Sequence, residues 1–310
     1  MRIVRTLAEI PPAYRGASAA IGNFDGVHLG HRAVIDLARE VQSGPLAVLT
    51  FEPHPREVFR PDAPPFRLMD AAARSHQLEE LGVEILFELP FNETLRQMTD
   101  SAFCEHVLHE GLGLSHVTVG ADFRYGKGRS GTATSLKAAG AALGFGVTVA
   151  DLIKEATDDN VSSTAIRAAL TAGDPRRAAL MLGHWHRFEG PVIHGEKRGR
   201  TLGYPTANMS VGGRHLPRFG VYAVTVDVLA GPYAGQYDGA ASLGVRPMFG
   251  ENQPNLETFL FDFKGDLYGT PISVALIDFL RPEMKFDSLD GLLVQMEKDC
   301  SDTRQILKSL

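Results

Sequence analysis

Cysteine is nearly absent: Cys104 and Cys300 are the only two in 310 residues, too few and too isolated for a disulfide framework or a Cys-rich metal site. That usage fits a reducing compartment, so a cytoplasmic location is expected. No stretch of eighteen apolar residues occurs, as a helical membrane span would need, and the opening MRIVRTLAEIPPAYRG has no apolar run fit for a signal peptide. Export and membrane insertion are not expected. An excess of positive charge is also missing. Thirty-one Lys and Arg against 37 Asp and Glu leave −6, so no global field exists to hold nucleic acid or an anionic membrane. Any phosphate recognition has to be local.

What remains is the composition of a soluble globular chain, 44% hydrophobic and 22% charged, and too long for one comfortable core. Two domains are expected, 1–183 and 184–310. In the first, apolar runs at Ser18–Ile21, Leu46–Phe51, Val83–Leu89, His116–Val119 and Val147–Ile153 read as short buried strands. Val34, Leu37, Ala38 and Val41 recur at helical spacing between the first two, and Ala71–Leu81 reads as another helix. Repeated strand, helix, strand units imply a parallel sheet with helices on its faces. Pro53, Pro55, Pro61, Pro64 and Pro65 place a loop beyond a strand's carboxyl end, where such folds bind ligands. After Gly183 the segments GVYAVTVDVL, YDGAASLG, LETFLFDF and ISVALIDFL follow one another with turns and no helices, the pattern of an antiparallel sheet or small barrel. The chain closes with Leu289, Leu292, Leu293, Met296, Cys300 and Leu307 on one helical face, read as core packing.

The string GNFDGVHLGH, Gly22 to His31, sits between a predicted strand and a predicted helix. Gly22, Gly26 and Gly30 permit tight turns and close approach of a phosphate to the backbone. His28 and His31 flank Gly30 at the helix mouth, so two imidazoles and free backbone N–H groups could converge on one anion; a simple turn-capping role is the plainer alternative. In VSSTAIRAAL, Ser162 or Ser163 can cap a helix, and Arg167 lies in its first turns, where the macrodipole disfavours a cation unless an anion is nearby. VGADFRYGKGRSG puts Arg124, Lys127 and Arg129 among glycines in a basic loop, and TFEPHP places Phe51 and His54 at a strand end, where a ring could stack on a planar ligand or pack in the core.

A second constellation, HGEKRGRTLGYPTANM, sets Lys197, Arg198 and Arg200 around Gly195, Gly199 and Gly203, offering amides and positive charge to phosphates. Thr206 and Asn208, two apart on extended backbone, turn to one face, and two neutral oxygens suit a Mg²⁺ that keeps water and nucleotide phosphate as its other ligands. Pro205 fixes the approach. Regular alternation along LETFLFDF would put Glu257 on one face with Phe259, Phe261 and Phe263. A carboxylate bordering an apolar face is a general-base candidate; a strand-end Glu facing water is the alternative.

Taken together, GNFDGVHLGH, TFEPHP, VGADFRYGKGRSG and SSTAIR, followed by GRTLGYPTAN, GVYAV, LETFLFDF and DLYG, resemble the prokaryotic bifunctional riboflavin kinase/FMN adenylyltransferases, often called FAD synthetases. The resemblance covers nearly the full length. It implies a Rossmann-like HxGH nucleotidylyltransferase domain with a parallel sheet, then a six-stranded antiparallel β-barrel with a C-terminal helix. It implies two reactions with ATP as co-substrate and Mg²⁺ as cofactor: riboflavin to FMN, and FMN to FAD plus pyrophosphate. By the same resemblance, His28 and His31 stabilise the α-phosphate. Nucleotide contacts fall at Gly22, Asn23, Phe24, Asp25, Gly30, Arg124, Ser162, Ser163, Thr164 and Arg167. In the second half they fall at Gly195, Lys197, Arg200, Gly203, Pro205, Thr206 and Asn208. Flavin contacts fall at Phe51, His54, Pro55 and Asp122. Thr206 and Asn208 hold Mg²⁺, and Glu257 takes the proton of the ribityl 5′-hydroxyl. The expected partners are these small molecules, with the protein a monomer or weak homo-oligomer that binds neither nucleic acid nor membrane.

The chain departs from the family where an N-x-x-P-T-F stretch is usual: LGVRPMF carries Val245 and Met248 instead of a polar residue and a threonine. Polar side-chain contacts at that loop are put in doubt, while Arg246, Pro247 and Phe249 keep its general character. Two other readings compete with the bifunctional one, an enzyme with one active half and a flavin-binding module acting through a partner.

Overall fold

The computed structural model describes residues 1–8, 10–41, 44–151, 161–195, 202–248 and 251–310, except the side chains at 246–248 and 251–252. Packing divides them into two compact units, Met1–Pro64 with Asp70–Ser162, and Pro65–Met69 with Ser163–Leu310.

In the first unit the strands are β1 (Arg2–Val4), β2 (Ser18–Ile21), β3 (Leu46–Glu52), β4 (Ile85–Pro90), β5 (His116–Gly120), the pair β6 (Arg124–Tyr125) and β7 (Gly131–Thr132), and β8 (Gly146–Ala150). The helices are α1 (Leu29–Glu40), α2 (Pro55–Phe59), α3 (Ala71–Glu80), α4 (Glu93–Gln97), α5 (Asp100–Ala102), which widens into a π-helical stretch over Phe103–Gly111, and α6 (Ala133–Leu143). Six strands form one sheet in the order β1-β4-β3-β2-β5-β8, and every pairing is parallel. All four residues of β2 are buried, as a central parallel strand covered on both faces requires. Ala19, Ile21, Leu49, Phe87, Val117 and Val119 carry the core on one face. The chain leaves β2 for β3 on one side and later places β5 on the other, so the loop after β2 lies at the point where strand order reverses. Open α/β sheets part there and leave a crevice at the strands' carboxyl ends.

The second unit holds α7 (Ser163–Ala172), α8 (Pro175–Leu182), β9 (Arg187–Pro191), β10 (Ala207–Ser210), β11 (Gly220–Val228), β12 (Gly235–Met248), β13 (Glu251–Leu260), β14 (Pro271–Arg281) and α9 (Leu289–Leu307). Its sheet runs β10-β13-β12-β11-β14-β9, antiparallel throughout. Beyond β9, Ile193 bridges Asn208 on β10, which brings the two edges together and nearly closes a barrel. Met209, Tyr222, Val224, Val226, Leu243, Leu256 and Leu260 fill its interior.

Several expectations are corrected. The strand expected over Val147–Ile153 ends at Ala150, with 152–160 outside the described residues. Ala71–Leu81 is helical only to Glu80. Within the proline-rich loop, Pro55 opens the short helix α2, because its fixed φ suits a first helical turn. In α9 the side chains of Leu292, Leu293, Met296, Cys300 and Leu307 are half-buried and Leu289 is exposed; only Asp299 and Thr303 are buried. That helix lies over the outside of the barrel, where Ile306 and Leu307 pack on a small core of Ala223, Ala275 and Ile277, so core packing holds at its C-terminal end. The alternation expected through Phe263 stops at Leu260. Asp262 takes a left-handed φ of 57°, and Phe263 turns inward against Tyr233 and Tyr237.

Candidate functional site

At the crevice of the first unit, the loop from Gly22 to His28 is tightly wound. Gly22 N–H donates to Leu49 O at 3.1 Å, and Thr50 Oγ donates to Asn23 O at 3.3 Å from a fully buried position on β3. Phe24 and Val27 both sit at positive φ, 52° and 42°, conformations that cost energy in a side-chain-bearing residue and persist only where the surroundings impose them. Both are buried, as is Asp25, so the loop is anchored from below by its own side chains.

His28 is the N-cap of α1, and its Nδ1 accepts from His31 N–H at 3.3 Å. In the neutral ring that bond leaves the proton on Nε2. The imidazoles of His28 and His31 stack with centroids 3.6 Å apart and planes 16° apart, and Phe24 lies against His31 at 5.0 Å. Burial, and then the neighbouring His28, holds His31 well below the ordinary imidazole pKa, so His31 is neutral at neutral pH. Its Nδ1 is buried and finds no hydrogen-bond partner among the described residues. Gly30 has a steric reason: a Cβ there would lie 3.1 Å from His28 Nδ1 and Cε1. The arrangement offers an anion the positive end of a twelve-residue helix, together with ring N–H groups.

The other residues expected in this half are placed less distinctively. Phe51 joins an aromatic group with Phe91 and Phe103 and packs on the core. His54 caps α2 through Nδ1, with Arg56 N–H donating at 3.0 Å and His54 N–H reaching Glu57 Oε2 at 3.1 Å, and Pro55 follows it. Asp122, Arg124, Lys127 and Arg129 are exposed on and around the β6–β7 ribbon. Ser162 immediately precedes α7, which begins at Ser163 and carries Thr164 on its exposed side. In the second unit, Arg167 Nε donates to Phe66 O at 2.6 Å and its guanidinium lies 5.3 Å from the Phe66 ring, so the carbonyl answers the cation near this helix start.

On the outside of the barrel the register sets Asn208 of β10 directly opposite Glu257 of β13, and Ser242 of β12 opposite Glu257 on its other side. Asn208 Nδ2 donates to Thr206 O at 3.3 Å and Thr206 Oγ at 3.4 Å, which brings Thr206, Asn208 and Glu257 to one face. Gly195 is packed against this group: a Cβ there would fall 2.6 Å from Asn208 Nδ2. Gly203 turns at φ 86° ahead of exposed Pro205. Lys197 and Arg200 lie outside the described residues. Glu257 is half-buried. Phe259 shares its face, but its cross-strand neighbours are the polar Asn208 and Ser242, so the apolar surroundings expected for it are only half present. Among the described residues no group of three or more His, Cys, Asp or Glu is placed to hold a metal ion. The neutral oxygens of Thr206 and Asn208 fit a Mg²⁺ that takes its remaining ligands from water and phosphate.

Two contributors escaped the sequence reading. Thr50 gives no local signal, because its role depends on β3 lying beside the loop. Asn255 donates Nδ2 to Asn208 Oδ1 at 2.9 Å with both residues buried; its position two before Glu257 on an alternating strand was the available clue.

Family models describe the same halves. One for FAD synthetase matches residues 10–165, and one for riboflavin kinase matches 182–307. A Pseudomonas fluorescens protein described as a bifunctional riboflavin kinase/FMN adenylyltransferase is 41% identical, the alignment covering 99% of this chain and 98% of that protein. An Escherichia coli K12 protein of the same description is 36% identical, with 96% of each covered. A solved structure from Streptococcus pneumoniae, titled a macrolide-efflux protein, superposes with a TM-score of 0.84 at 30% identity over 97% of this chain and 98% of that one. No helix among the described residues of the present chain is long and apolar enough to cross a membrane.

Proposed function

From the premise that the chain belongs to the family of bifunctional riboflavin kinases/FMN adenylyltransferases, we propose that residues 1–183 adenylylate FMN and residues 184–310 phosphorylate riboflavin. Contacts group α7 and α8 with the barrel; the proposed division is one of chemistry, and the motif SSTAIR belongs to the first activity.

In adenylyl transfer an FMN phosphate oxygen attacks the α-phosphorus of ATP, a new P–O bond forms, and the bond to the departing pyrophosphate breaks. No covalent enzyme intermediate is needed, so the protein's work is alignment and charge stabilisation. His28 offers Nε2–H to an α-phosphate oxygen, and neutral His31 stacked behind it fixes the ring. The N-terminal amides of α1 add positive potential where negative charge builds. Gly22, Asn23, Phe24 and Asp25 shape the loop that carries the nucleotide. Ser162, Ser163, Thr164 and Arg167 take the pyrophosphate, with Arg124 on the exposed ribbon as a further phosphate contact. Phe51, His54, Pro55 and Asp122 face the flavin.

In the kinase half, Glu257 accepts the proton of the ribityl 5′-hydroxyl while its oxygen bonds to the γ-phosphorus and ADP departs with the electrons of the broken P–O bond. Thr206 and Asn208 hold Mg²⁺ and ATP phosphates, with Gly195, Lys197, Arg200, Gly203 and Pro205 forming the surrounding phosphate loop. Bound Mg²⁺ supplies charge neutralisation on the transferred phosphoryl group. The observation that carries this reading is the cross-strand pairing of Asn208 with Glu257, which sets a candidate base beside neutral oxygens suited to a nucleotide-bound cation.

Incubating the purified protein with riboflavin, ATP and Mg²⁺ and separating the products by chromatography tests the proposal. FMN followed by FAD is expected. Appearance of neither would favour a flavin-binding module.

A further inference from the structure

We propose that Asn255 is a positioning residue of the kinase site that, together with the Thr206 carbonyl, holds the Asn208 amide in one orientation; the inference rests on the kinase reading above. The polarity of the arrangement is set from one end. The carbonyl of Thr206 can only accept, and it takes Asn208 Nδ2, so Asn208 Oδ1 must point away from it. On that side Asn255 supplies the matching donor at 2.9 Å. One lone pair of Asn208 Oδ1 is thereby held by an N–H group, and the other stays with its direction defined. An amide free to rotate would present its NH₂ group to a cation part of the time, which is electrostatically adverse.

This arrangement runs against the stability of the barrel. With Nδ2 committed to Asn208, Asn255 Oδ1 is left buried with no hydrogen-bond partner among the described residues. A buried acceptor without a donor loses its hydration uncompensated, and an aliphatic side chain at 255 would avoid that loss. Asn255 also stands two residues from Glu257 on the same strand face, while Asn208 faces Glu257 across the ladder. One amide therefore orders the oxygen beside the candidate base.

Asn255→Asp keeps the size and replaces the donor with an acceptor; Asn255→Leu removes the donor together with the unpartnered acceptor. For Asn255→Asp the expected result is an about 10- to 100-fold fall in kinase kcat/KM for ATP, the scale seen when a residue orienting a ligand is lost, together with weaker calorimetric binding of Mg·ADP. Riboflavin affinity, read by fluorescence quenching without nucleotide, and FAD formation from added FMN are expected to stay near wild type, while the unfolding temperature falls because a carboxylate is buried at 255. Asn255→Leu is expected to show the same activity and binding pattern with a smaller loss and with the unfolding temperature retained. Wild-type Mg·ADP affinity in both variants would overturn the proposal. So would riboflavin affinity and unfolding temperature falling in step with the rate in Asn255→Leu, the mark of a merely structural residue. A wild-type enzyme that forms no FMN would instead remove the kinase reading itself, and this proposal with it.

Discussion

Gly30 carries hydrogen where a methyl group would lie 3.1 Å from the ring of His28, so any side chain at the helix mouth would press on the imidazole. Gly195 bears the same relation to Asn208, with less room still. In both halves a glycine gives a functional side chain its position by having no side chain of its own.

A pair of substitutions tests that relation. Gly195→Ala must displace the Asn208 amide and is expected to lower riboflavin phosphorylation by about 10-fold or more while conversion of added FMN to FAD is retained, the scale being that of losing a ligand-orienting contact. Gly30→Ala is expected to do the reverse, slowing FAD formation and sparing FMN formation. Steady-state rates with riboflavin and with FMN as separate substrates decide it; equal losses in both activities would contradict it.

Thr50 offers a subtler test. Its hydroxyl holds the carbonyl of Asn23 in the strained loop, and Thr50→Val keeps the shape while removing the donor. The loss of one such bond costs about 1 kcal/mol of stability. A larger effect, roughly 10-fold, is expected in kcat for FAD formation, because a small misplacement at a reacting centre is amplified in rate. An unchanged kcat would show that the loop holds itself.

The sequence announced the His28–His31 string because glycines and histidines at a strand-to-helix junction act locally; spacing alone carried the signal. It announced Thr206 and Asn208 as a pair and Glu257 separately, and the resemblance supplied the association of the pair with Glu257. Their meeting depends on the register of β10 on β13, a long-range pairing that no local window contains, and Asn255 was missed for the same reason. Strand β9 was overlooked because RFEGP is short and interrupted by Gly and Pro, and β10 was read only as extended backbone at Thr206 and Asn208. The edge strand β1 has no buried residue to mark it. In α9 the apolar stripe was visible, but a helix lying on the outside of a barrel leaves much of such a stripe half-covered, and the pattern does not tell the two cases apart.

One buried histidine in the second unit should contribute a traceable part of the pH dependence of stability. Burial, reinforced by His184, His215 and Arg214, pushes His186 down to about 3 from the ordinary 6.5. The unfolded chain therefore binds the extra proton between those values, so stability is full above about 6.5 and falls as pH drops toward 3. At pH 5 the deficit is about 2 kcal/mol, from 1.5 pKa units. His186→Phe is expected to remove about that much of the difference in denaturant stability between pH 8 and pH 5. Trp185, the single tryptophan, adjoins the site and reports the transition by fluorescence. The same pH dependence in variant and wild type would refute the assignment.

The central claim is that adenylyl transfer and phosphorylation use different residues in different halves, and product chromatography on two variants, each offered riboflavin and then FMN, tests it most directly. His28→Ala is expected to stop at FMN, with FAD formation down about 10²- to 10³-fold, as for a lost charge-stabilising donor. Glu257→Gln is expected to leave riboflavin unphosphorylated, down about 10²- to 10⁴-fold, while still turning added FMN into FAD. Loss of both products in either folded variant, or full kinase activity in Glu257→Gln, would contradict the account.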